Sequence, residues 1–236
     1  MGAVRKIAKK LIYHTLPASH IMMFHHITAQ PDVQKSGCLI DHERFKEIVL
    51  RYKDHYATLD EVVKGKKKNK IAITFDDGLS DLYTMAYPFL KEHNIPFTAF
   101  ILTDMLDTPG YITTEQLQSL SKDPLVTVGS HGVTHRIFTE LSYDQKVYEL
   151  AESKKILQKL TGQEIEYFAY SHGQYNKETL KLVKKQYEYA VSTKGFPLNI
   201  LTGRKYLLPR LNIEEETYGR FIKLLDETVK KTKCKG

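Results

Sequence analysis

The chain has 236 residues, of which 42% are hydrophobic and 27% are charged. This composition is typical of a folded protein with a sizeable core, and it excludes disorder on a large scale. Much of the net charge of +7 is carried by two lysine clusters, at residues 64–70 and 230–235. No aromatic side chains interleave these lysines to stack on bases, so we expect solvated surface segments and no nucleic-acid partner.

The N-terminal segment predicts a basic amphipathic helix at residues 3–14. Apolar residues recur at helical spacing from Val4 to Ile12, with lysine and arginine between them. We assign residues 1–17 to this helical segment and residues 18–236 to one main domain. Docking of the helix on that domain is the simpler interpretation, and peripheral contact with a membrane surface is the alternative.

The same segment lacks the uninterrupted apolar run of a signal peptide or a membrane span. Cys38 and Cys234 lie far apart in the sequence and predict neither a disulfide nor a cysteine metal site. We therefore expect a cytoplasmic protein, with any membrane contact made at the inner face. No pattern predicts the oligomeric state.

After Pro17, short apolar runs alternate with segments of 3.6-residue periodicity. This alternation predicts an α/β domain with a mostly parallel sheet, either closed as a barrel or open and doubly wound. Helices are predicted after Asp41, after the capping residue Ser142 and around Tyr218. The predicted strands are His20–His25, Ala57–Leu59, Ile71–Phe75, Phe97–Leu102, Leu125–Ser130, Tyr167–Tyr170, Tyr189–Ser192 and Leu207–Ile213.

Two adjacent carboxylates follow one of these strands. Ile71–Phe75 runs directly into Asp76, Asp77 and Gly78. Neighbouring like charges repel unless a cation or a shared proton relieves them. A DDG sequence is also a common turn, so this motif alone leaves a structural interpretation open.

A pair of histidines follows the strand two further along. If His131 to His135 makes one helical turn, the spacing of four brings both imidazoles to the same side. Two imidazoles and one carboxylate provide three ligands for a divalent cation and leave positions open for water and substrate. His25, His26 and His172 also follow predicted strands, which suggests one shared pocket at the strand ends.

At these residues the chain resembles the polysaccharide deacetylase family, which is the NodB homology domain or carbohydrate esterase family 4. Thr74-Phe-Asp-Asp-Gly78 resembles its first motif, and Ser130-His-Gly-Val-Thr-His135 resembles its second, with Gly132 where the family usually has Ser or Thr. The resemblance extends from about Ile21 to Ile213. It implies a single-domain, NodB-like, distorted (β/α)7 barrel and a carbohydrate N-deacetylase.

The same resemblance implies roles for individual residues. Asp77, His131 and His135 would bind a divalent metal, with Zn²⁺ as the first choice and Co²⁺, Ni²⁺ or Mn²⁺ as alternatives. Asp76 would be the general base. Leu208-Pro-Arg-Leu211 resembles a late Leu-Pro-Arg segment, which adds Arg210 to the catalytic set as the partner of Asp76; a plain structural ion pair is the alternative.

Two segments resemble the branch of the family that acts on poly-N-acetylglucosamine. Phe24-His-His-Ile27 resembles Tyr-His-x-Ile, which implies that His25 is the general acid and leaves His26 as the second choice. Phe168-Ala-Tyr-Ser-His-Gly173 resembles Phe-Ala-Tyr-Pro-Tyr/Phe-Gly, with Ser171 and His172 as departures. From these segments Tyr170, His172 and His26 are the candidate substrate-binding residues.

The predicted function is the removal of N-acetyl groups from an amino-sugar glycan or glycan precursor. The alternative is a carbohydrate-binding protein that keeps the fold without catalysis, which the departures at Ser171 and His172 favour. A phosphatase with a DxD-type nucleophile is disfavoured because Asp76 and Asp77 are adjacent and the histidine pair would have no role. O-acetyl and N-formyl substrates stay open, and the sugar is not predicted.

Overall fold

The structure, a computed structural model, describes residues 19–29, 38–65, 69–193 and 205–233. The predicted N-terminal helix at residues 3–14 and Cys234 lie outside these ranges, as does part of each lysine cluster. Within the ranges described, each helix is too short or too polar to cross a lipid bilayer.

Seven parallel strands form one curled sheet, flanked by helices. The strands are β1 His20–Phe24, β4 Ile71–Phe75, β5 Phe97–Ile101, β6 Val126–Ser130, β7 Tyr167–Ala169, β8 Tyr189–Val191 and β9 Leu211–Asn212. Their order in the sheet is β8-β7-β6-β5-β4-β1-β9. A separate two-stranded parallel sheet pairs β2 His26–Thr28 with β3 Leu39–Asp41.

The segment that leads into β9 contacts both edges of this sheet. Leu208 bridges to Val191 of β8, and its N–H donates to the Ala190 carbonyl. Three residues later, Leu211 pairs with Met22 of β1. Residues 208–212 therefore span the gap between β8 and β1, and the predicted distorted (β/α)7 barrel is confirmed.

Five of the helices follow residues whose side chains cap the first turn. The side chains of Asp41, Thr58, Thr113, Ser142 and Asn176 accept hydrogen bonds from backbone N–H groups of the helices that follow them. The helices are α1 His42–Arg51, α2 Leu59–Val63, α3 Tyr87–Glu92, α4 Thr114–Ser121, α5 Tyr143–Thr161, α6 Lys177–Gln186 and α7 Tyr218–Lys233. The predicted helices after Asp41, after Ser142 and around Tyr218 are confirmed.

The alternation of side chains along each strand divides the core into two parts. On β4, Ile71 and Ile73 belong to the larger cluster, which includes buried residues of the helices, whereas Ala72 belongs to a smaller one. Phe100 of β5 and Tyr167 of β7 join Ala72 in the smaller cluster.

One predicted strand is wrong. The short apolar run predicts a strand at Ala57–Leu59, but in the structure Thr58 caps α2 and forms a reciprocal capping box with Glu61. The local capping signal therefore outweighs the short apolar run. The last predicted strand, Leu207–Ile213, is reduced to Leu211–Asn212 and the isolated bridge at Leu208.

Candidate metal centre and active site

The register of the sheet brings the predicted functional residues to one edge. Phe24 of β1 pairs with Phe75 of β4, so His25 and Asp76 follow the ends of adjacent strands. Ile101 of β5 pairs with Ser130 of β6, so His131 emerges at the same edge. This is the carboxyl edge of a parallel sheet, where loops from several strands converge.

Asp77, His131 and His135 form a cluster that could hold a metal ion. One ligand atom from each lies within 4.8 Å of the other two. The Nε2 atoms of His131 and His135 lie 3.4 and 3.5 Å from Asp77 Oδ1. That oxygen is buried and accepts no hydrogen bond, which is costly for a carboxylate unless a cation satisfies it. The donor set of two nitrogens and one oxygen therefore fits a divalent metal.

The protonation of the cluster also suits a cation. His131 Nδ1 lies 2.8 Å from the Ala169 carbonyl and donates to it, which leaves Nε2 to face Asp77. Burial alone would lower the pKa of His131, but the charges of Asp76 and Asp77 raise it, so a metal ion at Nε2 would take the place of a proton. Burial lowers the pKa of His135 to about 4, with help from the neighbouring His131, so His135 is neutral at pH 7. Burial alone would raise the pKa of Asp77, but the contact with His131 and the charge of that ring hold it well below its usual range.

Asp76 lies beside this cluster and has a different environment. Arg210 donates from two guanidinium nitrogens to the two carboxylate oxygens, at 2.6 Å each. Both side chains are buried, at 2% and 0% exposure. Burial would raise the pKa of Asp76, but the charge and hydrogen bonds of Arg210 and the charge of His131 hold it below its usual range. Asp76 is therefore a buried, ionised carboxylate in a fixed orientation.

The histidine pair is not on a helical turn, contrary to the expectation from its spacing. Residues 131–137 form an irregular loop in which Gly132 and His135 have φ values of 91° and 62°. The two imidazole centroids are nevertheless 4.9 Å apart. The loop reverses direction at Gly132, so the rings meet without helical geometry.

The pattern of these residues agrees with a known family. A family model described as polysaccharide deacetylase matches residues 63–191, more than half of the chain. This chain belongs to the polysaccharide deacetylase family.

Relatives and solved structures agree with this membership. The poly-beta-1,6-N-acetyl-D-glucosamine N-deacetylase of Staphylococcus aureus is 27% identical over 214 residues, which cover 79% of this chain and 72% of that protein. The polysaccharide deacetylase homologue YxkH of Bacillus subtilis is 33% identical over 131 residues, 55% of this chain. The match spans only 47% of YxkH, about half of that protein's length.

Two solved structures share the fold. The Streptococcus pyogenes deacetylase PplD in complex with acetate has a TM-score of 0.79 at 22% identity, with 89% of this chain and 99% of that chain covered. IcaB from Ammonifex degensii has a TM-score of 0.78 at 18% identity, with 89% and 97% covered. At this identity the likeness concerns the fold.

The two adjacent histidines, His25 and His26, have different partners. His25 Nε2 lies 4.0 Å from Asp76 Oδ2, so the predicted acid faces the predicted base. Burial lowers the pKa of His25, and the charges of Asp76 and Asp77 oppose that change. His26 Nδ1 instead bonds the carboxylate of Asp81. That contact holds His26 in the β2 segment, whereas His25 is directed to the cluster.

The other two predicted substrate-binding residues, His172 and Tyr170, differ in exposure. His172 is exposed and its ring centroid lies 4.5 Å from that of His135, at the rim of the cluster. Tyr170 is 0% exposed, and its hydroxyl donates to the Tyr206 carbonyl at 3.1 Å. The fully buried ring of Tyr170 offers no surface to a substrate, and its assignment as a substrate-binding residue stays a prediction.

Sequence reasoning missed Glu149, whose carboxylate contacts the loop between the two histidines. A signal was present in α5, where Lys146, Glu149 and Ser153 recur at helical spacing and are all buried. Buried polar side chains require hydrogen-bond partners, so three of them on one face of a helix indicate that this face binds polar groups of a neighbouring segment.

Proposed function

We propose that this chain is a divalent-metal-dependent N-deacetylase that releases acetate from N-acetylated amino-sugar units of a glycan or glycan precursor. The observation that carries the proposal is the unpartnered, buried Oδ1 of Asp77, faced by the Nε2 atoms of two histidines. The Staphylococcus aureus relative, whose name is that of a poly-beta-1,6-N-acetyl-D-glucosamine N-deacetylase, supports the substrate class.

Asp77, His131 and His135 would hold the metal, and we propose Zn²⁺, with Co²⁺, Ni²⁺ and Mn²⁺ as alternatives. When bound, a divalent cation polarises an acetamide carbonyl and lowers the pKa of water from about 15.7 towards roughly 7. Asp77 Oδ1, which accepts no hydrogen bond from the described residues, would be one of its ligand atoms.

Asp76 would accept the proton of the attacking water. Its ionised state is maintained by Arg210, and the bidentate contact fixes the direction of its oxygens. Arg210 also donates to Thr74 Oγ1 and the Ser192 carbonyl, so the guanidinium itself is held in place. In this proposal Arg210 acts on the reaction through Asp76.

His25 would deliver a proton to the sugar nitrogen as the C–N bond breaks, because an amine is a poor leaving group unless it is protonated. Its Nε2 atom lies 4.0 Å from Asp76 Oδ2, so the proposed acid and base are neighbours. The products are acetate and a free amino sugar: the water oxygen passes to the acetyl group, and its two protons pass, by way of Asp76 and His25, to the nitrogen that leaves as the ammonium group. Backbone N–H groups after β7 would support the oxyanion.

The test is acetate release by the purified full chain, with and without added Zn²⁺, on oligomers of β-1,6-linked and β-1,4-linked N-acetylglucosamine. We expect release that stops after exhaustive chelation and returns when metal is added back. Asp77→Ala is the matched variant and should bind no metal. Metal-loaded, folded protein that binds the oligomers without releasing acetate would favour the carbohydrate-binding alternative. Equal release after chelation would exclude the metal.

The membrane contact through residues 3–14 and the cytoplasmic location stay predictions from the sequence, since those residues lie outside the described ranges.

A further inference from the structure

The loop that carries His131 and His135 is held by one carboxylate from α5. Glu149 is 4% exposed, and its Oε2 accepts from the N–H groups of Val133 and Thr134 at 2.7 and 3.0 Å. Its Oε1 accepts from the hydroxyl of Thr134. Three donors from two consecutive residues therefore converge on one side chain.

The opposite side of the same loop is held by backbone groups that follow β5. Thr103 N–H donates to the Gly132 carbonyl at 3.3 Å, and Asp104 N–H donates to the Val133 carbonyl at 3.1 Å. These donors thus fix the carbonyls of Gly132 and Val133, while Glu149 fixes the N–H groups of the two residues before His135. The imidazoles of His131 and His135 face Asp77.

These contacts lie directly between the two histidine ligands. Val133 and Thr134 are the residues immediately before His135, and only Gly132 separates them from His131. Because neither residue is helical, no regular backbone hydrogen bonding sets the angle between the imidazoles. The separation of 4.9 Å between ring centroids therefore depends on what anchors the loop.

Glu149 also accounts for the departure at Gly132. A Cβ atom at this position would lie 3.0 Å from Glu149 Oε2, and the φ of 91° disfavours any other residue. A serine or threonine here would press on the carboxylate that holds the loop. The position of the Glu149 carboxylate therefore depends on a glycine at residue 132.

We infer that Glu149 is a positioning residue for the metal centre: it sets the geometry of His131 and His135 and thereby the affinity for the divalent ion. The inference rests on the proposed metal-dependent function. It does not place Glu149 in contact with the metal or the substrate. A glutamine replaces it only in part, because its single neutral oxygen accepts more weakly from the two N–H groups than a carboxylate oxygen does, and its NH₂ group can meet the Thr134 hydroxyl only as a donor.

The test compares Glu149→Gln with Lys146→Met, a matched control on the same helix. Lys146 is similarly buried, at 3% exposure, but its Nζ pairs with Glu178 of α6 at 2.6 Å. Metal affinity is measured by titration of the metal-free full chain with Zn²⁺, and the ligand geometry by the visible spectrum of the Co²⁺ form. Thermal unfolding of the metal-free proteins reports stability.

We expect Glu149→Gln to weaken Zn²⁺ binding by about 10- to 100-fold and to alter the Co²⁺ spectrum. Lys146→Met should lose thermal stability while it keeps wild-type affinity and spectrum. Thr134→Val removes only the hydroxyl contact and serves if Glu149→Gln does not fold; a loss of affinity of a few-fold is expected.

Wild-type affinity and spectrum in the folded Glu149→Gln protein, or in Thr134→Val where Glu149→Gln is unfolded, would overturn the inference and leave the proposed function intact. Equal losses of affinity in Glu149→Gln and Lys146→Met would also overturn it, because both changes would then act through stability alone. A wild-type protein that binds no divalent ion would overturn the proposed function itself, and the inference with it.

Discussion

The Asp76–Gly78 turn and the His131–His135 loop serve the same cluster but are held in different ways. The turn is fixed by Arg210, which contacts the buried carboxylate of Asp76 and lies 134 positions away. The loop is fixed by Glu149, which contacts backbone groups and lies 15 positions from Thr134. The first support therefore changes the charge state of a functional group, and the second changes only the shape of a loop.

This difference has an energetic consequence. The carboxylate of Asp76 and the guanidinium of Arg210 are almost fully buried, so each is the main compensation for the other's charge. Removal of one partner of such a pair leaves an unpaired buried charge, whereas removal of both does not. The Glu149 carboxylate accepts hydrogen bonds from backbone N–H groups, which carry no net charge. Replacement of Glu149 by a neutral residue therefore leaves no unpaired opposite charge.

The largest expected effect is in a double-mutant cycle on Asp76 and Arg210. Asp76→Asn and Arg210→Met should each lower the free energy of unfolding by about 3–5 kcal/mol, because each leaves the other charge unpaired. The double variant should be more stable than the sum of the two losses predicts. Urea denaturation of the metal-free proteins measures all four corners of the cycle.

Acetate release supplies the second readout of this cycle. All three variants should be inactive, since the double variant restores stability but not the base. A stable and active double variant would show that Asp76 does not accept the water's proton. Strictly additive stability losses would show that the two charges are compensated elsewhere.

The next effect concerns His25, on the Asp76 side of the cluster. His25→Ala should bind Zn²⁺ with wild-type affinity, because His25 is not among the residues whose ligand atoms cluster around Asp77. Turnover should fall by about 10²–10⁴-fold, the contribution of a positioned acid. Metal titration and acetate release on the same preparation separate the two quantities. His26→Ala is the neighbouring control, and near-normal turnover in His25→Ala would transfer the acid role elsewhere.

The sequence predicted the parts of the site that are local. The carboxylate pair Asp76–Asp77 and the histidine pair His131–His135 each follow a buried strand. Polar residues directly after an apolar run can be recognised in the sequence alone. The pairing of Arg210 with Asp76 came only from a family resemblance, since nothing local relates positions 134 apart. The register of seven strands brings them together.

Each feature that the sequence did not predict correctly has its own physical cause. The apolar run at Ala57–Leu59 hid the capping box that starts α2. The spacing of His131 and His135 suggested a helical turn, but Gly132 permits a tighter reversal with the same outcome. Glu149 was missed because a charged residue on an amphipathic helix is usually solvated, and only the packing of α5 on the loop reveals its role.

The smallest expected effect is that of a substitution at Gly132, in the loop that Glu149 holds. Gly132→Ala should lower the free energy of unfolding by about 1–3 kcal/mol, because alanine is strained at a φ of 91°. Gly162→Ala, at the end of α5, is the matched control: its φ is 69° and an added Cβ would meet no atom within 4 Å. Both variants carry the backbone cost, but only Gly132→Ala crowds Glu149. We therefore expect a several-fold loss of Zn²⁺ affinity in Gly132→Ala alone. If both variants lose stability and both keep wild-type affinity, the loop tolerates displacement of the Glu149 carboxylate, and its shape is set instead by the backbone donors that follow β5.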